Sequence, residues 1–146
     1  MDAMSRFSTQ QTEAHYDVAV VGAGPAGSAT AYFLAQGGLK VALLDKFEFP
    51  RDKTCGDGLT PRAIKTLEKM GALPQIEKEA FRCSEVKIRY SDEITFNLEL
   101  DHLQDLPDYI LTLPRFLLDN VLRQHAVVAG ANFIPKARVE DVLRSD

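Results

Sequence analysis

Gly22, Gly24 and Gly27 punctuate the run Gly-Ala-Gly-Pro-Ala-Gly directly after four apolar residues, Val18 to Val21. Residues of this type at this spacing suit one kind of chemistry, the holding of a diphosphate by bare backbone. A tight turn off a strand, the close approach of a pyrophosphate and helix-on-strand packing each demand a residue without a side chain. A helix beginning near Pro25 then aims unpaired N–H groups and the positive end of its dipole at the anion. Pro25 and Ala26 complete the cradle, since proline is tolerated in the first helical turn. A dinucleotide is the ligand that this pattern suits.

A glycine triplet alone is a weak signal, and its neighbours give it meaning. Upstream, the uninterrupted Asp17-Val-Ala-Val-Val predicts a parallel strand buried on both faces. Downstream, Tyr32, Phe33 and Leu34 give the helix bulk, and Gly37-Gly38 can close it with a left-handed residue. Val41-Ala-Leu-Leu predicts a second buried strand that ends at Asp45. An acid about 20 residues beyond the glycine turn accepts hydrogen bonds from ribose hydroxyls, and Asp45 falls near that offset. Lys46 follows it at the same strand end. By itself this much of the pattern suits a flavin or a nicotinamide dinucleotide equally.

The chain has 146 residues, 45% of them hydrophobic and 26% charged, which fits one domain with a core of ordinary size. Its net charge is −4 and its basic residues are interspersed with acidic ones, so there is no electrostatic footprint for nucleic acid. Cys55 and Cys83 lack Cys-x-x-Cys spacing, and His15, His102 and His125 are scattered, so neither a disulfide framework nor a metal site is expected. The stretch from Val18 to Leu39 carries no charge and is long enough to cross a bilayer, but its five glycines, Pro25, Ser28 and Gln36 argue against a span. The segment from Met1 to Ala14 is polar and lacks the apolar core of a signal peptide. A cytoplasmic chain is the expectation.

After Asp45 comes a second loop, Phe47-Glu-Phe-Pro-Arg-Asp-Lys-Thr-Cys-Gly-Asp-Gly-Leu-Thr-Pro-Arg62, whose breakers and charges predict irregular backbone. A helix restarts at Thr60 as N-cap, with Pro61 in its first turn, Ala63, Ile64, Leu67 and Met70 as its buried stripe, and Gly71 at its end. In doubly wound sheets ligands bind where loops leave the carboxyl ends of strands. This loop leaves the second strand beside the cradle, so Cys55-Gly56-Asp57-Gly58 can approach a ligand with nearly bare backbone. Lys53 and Asp57 are expected to be loop charges, or else groups that support the site from behind. Further on, Glu85-Val-Lys-Ile-Arg-Tyr and Ile94-Thr-Phe-Asn-Leu-Glu-Leu100 alternate with period two, which predicts antiparallel strands covered on one side. A helix from about Leu113 to Ala129 should bury Leu117, Leu118, Val121 and Leu122 and stop at Gly130. Asn132-Phe-Ile should return to the parallel sheet, and Ala137 to Leu143 should start another strand.

The combination of Gly-Ala-Gly-Pro-Ala-Gly-Ser with Phe-Pro-Arg-Asp-Lys-Thr-Cys-Gly-Asp-Gly-Leu-Thr-Pro-Arg-Ala resembles the geranylgeranyl reductase family of flavoproteins. The fuller Cys-Gly-Asp-Gly-Leu-Thr-Pro-Arg form is most similar to the bacterial menaquinone side-chain reductases of that family. The matching block runs from about Tyr16 to Leu73, less than half of the chain. Beyond it, the Leu-Pro-Arg helix and Gly-Ala-Asn-Phe resemble the wider hydroxylase-like superfamily in pattern. The resemblance implies an α/β, Rossmann-like FAD-binding fold with the start of an inserted antiparallel substrate sheet. On this view residues 1–15 are a polar tail, 16–82 hold the FAD-binding βαβ unit and the Cys-Gly-Asp-Gly loop, 83–112 open the substrate sheet, and 113–146 return to the FAD-binding domain.

The resemblance further implies FAD, with its pyrophosphate over Gly22 to Gly27 and its adenosine ribose on Asp45. It puts Arg51 and Arg115 near the cofactor, and Cys55, Gly56 and Gly58 beside the flavin. A cation in the first turn of a helix works against the dipole and calls for a compensating anion. The other reading of Arg115 is an ion pair with Asp119 one turn on, worth about 0.2–0.5 kcal/mol. Cys55 could position an alkene or take part in proton delivery, or could be a small residue that fits between two backbones. Val86, Ile88, Phe96 and Leu98 become candidates for a face of the substrate pocket. The implied activity is reduction of carbon-carbon double bonds in a polyprenyl chain on a lipid, quinone or pigment, with NAD(P)H or ferredoxin as external donor and with peripheral contact on the inner face of a membrane. The family's distal Gly-Asp segment is missing before Asp146, so the expectation is the N-terminal portion of a larger enzyme, inactive alone. A hydroxylase-like FAD monooxygenase and a non-catalytic FAD-binding module are the competing readings.

Overall fold

The computed structural model describes residues 15–99 and 105–144. The polar tail at 1–14, the end of the second alternating strand at Leu100, His102 and the side chain of Leu98 lie outside the described residues. The chain opens with β1 (Val18–Val21), α1 (Pro25–Gln36) and β2 (Val41–Leu44), with the two strands parallel and Val18 opposite Val41. Gly24 caps α1 with extended backbone, and Pro25 takes the first helical position, where its missing N–H costs nothing. Gly38, at φ +87°, supplies the left-handed residue after the helix. The expectation of burial on both faces holds for β2, whose Val41, Ala42 and Leu43 are buried. It fails for β1, where burial alternates and Val21 is 62% exposed, because β1 is the edge of the three parallel strands described.

The second loop ends in β3 (Gly58–Leu59) and passes into α2 (Pro61–Lys69). Thr60 caps α2 with Oγ1, which accepts the Ala63 N–H at 3.4 Å; Ile64, Leu67 and Met70 face the core, and Gly71 at φ +69° ends the turn. A single turn, α3 (Leu73–Ile76), leads to β4 (Phe81–Cys83). The hairpin of β5 (Glu85–Arg89) and β6 (Thr95–Glu99) follows, with Ile88 opposite Phe96 and Val86 opposite Leu98. Its turn is held by Ser91 Oγ, which accepts the N–H groups of Glu93 and Ile94. β7 (Ile110–Thr112) then lies antiparallel between β3 and β4, a sheet that sequence periodicity does not predict because its strands have two or three residues. The boundary drawn at 82/83 passes through β4.

α4 (Arg115–Val128) begins two residues later than expected, because Leu113 is still extended: its N–H donates to the Asp57 carbonyl at 3.0 Å and its side chain is buried. Leu118 and Leu122 face the core as expected, whereas Leu117 is 37% exposed and lies on the outer side of the helix. Gly130, at φ +111°, follows the helix, and β8 (Asn132–Ile134) returns parallel to β2, giving the order β1-β2-β8. The strand expected over Ala137 to Leu143 does not form. The Ala137 N–H is spent on the Asp45 carbonyl at 2.9 Å, and the segment that follows is irregular. One core unites Val41 and Leu43 of the parallel sheet with Leu59, Ile64, Leu111, Leu118 and Leu122, and α1 packs on α4. Among the described residues no helix is long and apolar enough to cross a membrane.

α1 lies almost on the backbone of the turn that precedes it. A Cβ on Gly27 would sit 1.8 Å from the Gly22 carbonyl oxygen. Gly27→Ala is therefore expected to cost about 3 kcal/mol or more, at or above the top of the usual overpacking range, as read from chemical denaturation.

Candidate functional site

The glycine turn is tied down from below. Gly22, at φ +96°, donates its N–H to the Leu44 carbonyl at 2.7 Å, and the Ala23 N–H donates to Asp45 Oδ2 at 2.8 Å. The first intrahelical bond of α1 runs from Ser28 N–H to the Gly24 carbonyl, so the N–H groups of Ala26 and Gly27 belong to the unpaired first turn. Asp45 is 6% exposed and accepts a second backbone bond on Oδ1, from Phe47 N–H at 2.9 Å. A carboxylate has about four lone-pair sites, so each oxygen keeps capacity for another donor. The acid at the end of β2 thus has a task that its sequence offset does not reveal: it fixes the turn itself.

Two guanidinium groups stand over the middle glycine. A Cβ on Gly24 would lie 3.4 Å from Arg115 Nη2 and 3.7 Å from Arg51 Nη2. Arg115 grips Asp119 with two hydrogen bonds, Nε to Oδ1 at 2.6 Å and Nη2 to Oδ2 at 2.8 Å. Arg51 Nη1 lies 3.1 Å from the same Asp119 Oδ2, and Arg51 Nη2 lies 3.8 Å from Asp45 Oδ2. Arg115 thus makes the ion pair with Asp119 and also stands beside the glycine turn. The ion pair is not the exposed kind worth tenths of a kcal/mol, because Arg115 is 11% exposed and Asp119 is fully buried. The bonds to Asp119 hold the Arg115 guanidinium well above the ordinary arginine range. Arg51 stacks on Phe49 with its Cζ 4.9 Å from the ring centre. Its approach to Asp119 is an ion pair without hydrogen-bond alignment, so among the described residues its buried Nε and Nη1 have no hydrogen-bond partner.

A cleft of about 880 Å³ opens here, lined by Gly22, Gly24, Pro25, Ala26, Gly27, Asp45, Lys46, Arg51 and Arg115. Val21, Phe47, Asp52, Lys53, Ala137, Arg138 and Val139 complete its lining. Five of these side chains are basic (Lys46, Arg51, Lys53, Arg115 and Arg138) and two acidic (Asp45 and Asp52), a local positive excess in a chain of net charge −4. Glycine amides, a helix N-terminus, desolvated guanidinium groups and a flanking acid suit a dinucleotide diphosphate with its ribose. Ala137 to Val139 escape a sequence reading because their only signal is an alternation that suggests a strand. Cys55, Gly56 and Gly58 are not on the cleft lining. They lie on the adjoining loop, where Asp57 takes φ +55° and Gly58 pairs with Thr112. The exposed Cys55 thiol is held below the ordinary thiol range, first by the Asp57 N–H and then by the Arg115 guanidinium.

Residues 15–146 match the FAD binding domain family. Over 129 residues the chain is 39% identical to the menaquinone reductase of Mycolicibacterium smegmatis, a match that covers 86% of this chain and 30% of that one. Over 131 residues it is 31% identical to the digeranylgeranylglycerophospholipid reductase of Methanothrix thermoacetophila, covering 89% of this chain and 32% of that one. A solved flavoprotein/dehydrogenase from Cytophaga hutchinsonii superposes with a TM-score of 0.78 at 26% identity, over 88% of this chain and 32% of its own. A myxobacterial chondrochloren halogenase reaches a TM-score of 0.80 at 24% identity, over 89% of this chain and 30% of its own, a likeness of fold alone. The chain spans about a third of the length of these relatives.

Asp119→Ala strips the buried Arg115 of its carboxylate and leaves Arg51 only the 3.8 Å approach to Asp45, and a loss of about 3–5 kcal/mol is expected in denaturant unfolding. Because the thiolate is the reactive form, the pH profile for alkylation of Cys55 should have its midpoint below that of a free cysteine peptide. Arg115→Met should move that midpoint upward.

Proposed function

This chain belongs to the FAD binding domain family, and we propose from that premise that it is the N-terminal portion of an FAD-dependent oxidoreductase reducing carbon-carbon double bonds of a polyprenyl chain. The observation that carries the proposal is the 39% identity over 86% of the chain to a menaquinone reductase, which includes both the glycine turn and the Cys55 loop. The residues of the cleft fit the cofactor. Gly24 admits a diphosphate to bare backbone, the N–H groups of Gly24, Ala26 and Gly27 face it, and Arg51 and Arg115 neutralise it. Asp45 accepts ribose hydroxyl bonds with its remaining lone pairs, Lys46 flanks it, and Ala137 to Val139 border the nucleoside end. When bound and reduced, FAD supplies hydride to one alkene carbon while a proton reaches the other.

The chain's own residues then orient the alkene and keep water away. Cys55, Gly56 and Gly58 bring a nearly bare loop towards the reacting end, with the Cys55 thiol as the candidate to touch substrate or flavin. Val86, Ile88 and Phe96 share one face of the β5–β6 hairpin, with Ile88 52% and Phe96 60% exposed, and this face forms one wall of the pocket for an apolar chain. A polyprenyl substrate on a lipid, quinone or pigment resides in a bilayer, so the enzyme works from the cytoplasm against the membrane's inner face without spanning it. NAD(P)H or ferredoxin serves as external donor.

The test is anaerobic turnover of the full-length protein with reduced FAD and a menaquinone or a geranylgeranyl lipid, read by product mass. A gain of two hydrogens per bond is expected. An oxygen-dependent hydroxylated product, or a halogenated one, would place the enzyme among the oxygen-using members of the fold instead. Tight FAD with no turnover on either substrate would leave a binding module.

A further inference from the structure

We infer that Asp119 is the positioning residue of this site: it holds Arg51 and Arg115 over Gly24. This rests on the reading that a cofactor diphosphate lies over Gly24. Asp119 sits in the second turn of α4, flanked by the core residue Leu118, and is fully buried, a place where a carboxylate is costly unless cations meet it. Two do. Arg115 takes both oxygens, and Arg51 approaches Oδ2 at 3.1 Å, so one anion answers two cations and the trio keeps a net positive charge. That charge faces the cradle, since one terminal nitrogen of each guanidinium lies within 3.7 Å of the point a Gly24 Cβ would occupy.

Arg51 is shared between two carboxylates. Its Nη1 is turned to Asp119 and its Nη2 to Asp45 Oδ2, 3.8 Å away. That oxygen is the one that accepts the Ala23 N–H at 2.8 Å and so fixes the turn before α1. Without the charge on Asp119, the nearest anion left to Arg51 is Asp45. Closing the 3.8 Å gap would carry Arg51 away from Gly24, while Arg115 would lose the two bonds that fix its side chain. Asp119 touches no ligand in this scheme. It acts through the two arginines.

The test uses the apo form of the full-length protein and two probes that differ in the diphosphate, ADP and adenosine, beside FAD itself. Asp119→Asn keeps shape and removes charge, and it should weaken ADP and FAD about tenfold or more while adenosine changes by less than about twofold. A purely structural role would weaken ADP and adenosine alike. That outcome, an unchanged affinity for ADP, or tighter binding of ADP would each overturn the inference. If Asp119→Asn does not fold, Asp119→Asn with Arg51→Met has one buried cation fewer, and compared with Arg51→Met alone it should show the same selective loss of ADP; an equal loss of both probes overturns the inference. Gly24→Val separates the two layers. If it abolishes ADP binding while Asp119→Asn is silent, the assignment to Asp119 fails and the diphosphate reading stands. If ADP and FAD bind Gly24→Val as before, the diphosphate reading fails and the inference falls with it.

Discussion

At the start of α1 two backbones touch, and the geometry of the whole site follows from that contact. Gly27 lies so close to the Gly22 carbonyl that no side chain fits between them. This closeness aims the unpaired amides of the first helical turn into the cleft at the carboxyl ends of β1 and β2. A helix shifted outward by one methyl group would carry its N-terminus and its dipole away from Asp45 and from both arginines. The turn is held again by Asp45, whose two oxygens bind the backbone on either side of the strand end, at Ala23 and at Phe47. Geometry that in isolation would be a flexible glycine loop is therefore rigid before any ligand arrives.

Rigidity matters because the cations at this site are largely desolvated. Arg51 and Arg115 are about nine-tenths buried, and the carboxylate between them is fully buried. Such a cluster is weak evidence for stability, since burying three charges costs several kcal/mol each before their attraction offsets it. Its value lies in what it presents: guanidinium groups already stripped of water and already oriented, with a terminal nitrogen of each close to Gly24. A diphosphate meeting them would find little left to reorganise. The Arg115 charge also helps hold the Cys55 thiol below its ordinary range, so one side chain acts on the cradle, the buried carboxylate and the loop nearest the proposed chemistry.

Much of this was legible from residue types and spacing. The need for glycine at positions 22 and 27 follows from what each cannot tolerate, a side chain at φ +96° and one 1.8 Å from a carbonyl oxygen, and Thr60-Pro61 announces its helix through capping chemistry. The parallel return of Asn132 to Ile134 was readable as well. What stayed hidden involves residues that meet only in three dimensions. Arg115 and Asp119 read as a surface pair one helical turn apart, because sequence carries no sign that α4 buries that face against the glycine turn. Arg51, far from Asp119 along the chain, has no sequence mark of joining it. The sheet of β3, β7 and β4 is built from strands too short to show a period. Ala137 to Val139 alternate as a strand would, yet the Ala137 N–H is already taken by Asp45.

If this turn is shaped for the two linked phosphates of a flavin dinucleotide, a crystal structure of the full-length protein with FAD bound will show both phosphates over Gly24, within hydrogen-bond reach of the Gly24, Ala26 or Gly27 amides and of at least one of Arg51 and Arg115. A diphosphate lying elsewhere, with these amides and guanidinium groups facing only water, would refute that role for the turn.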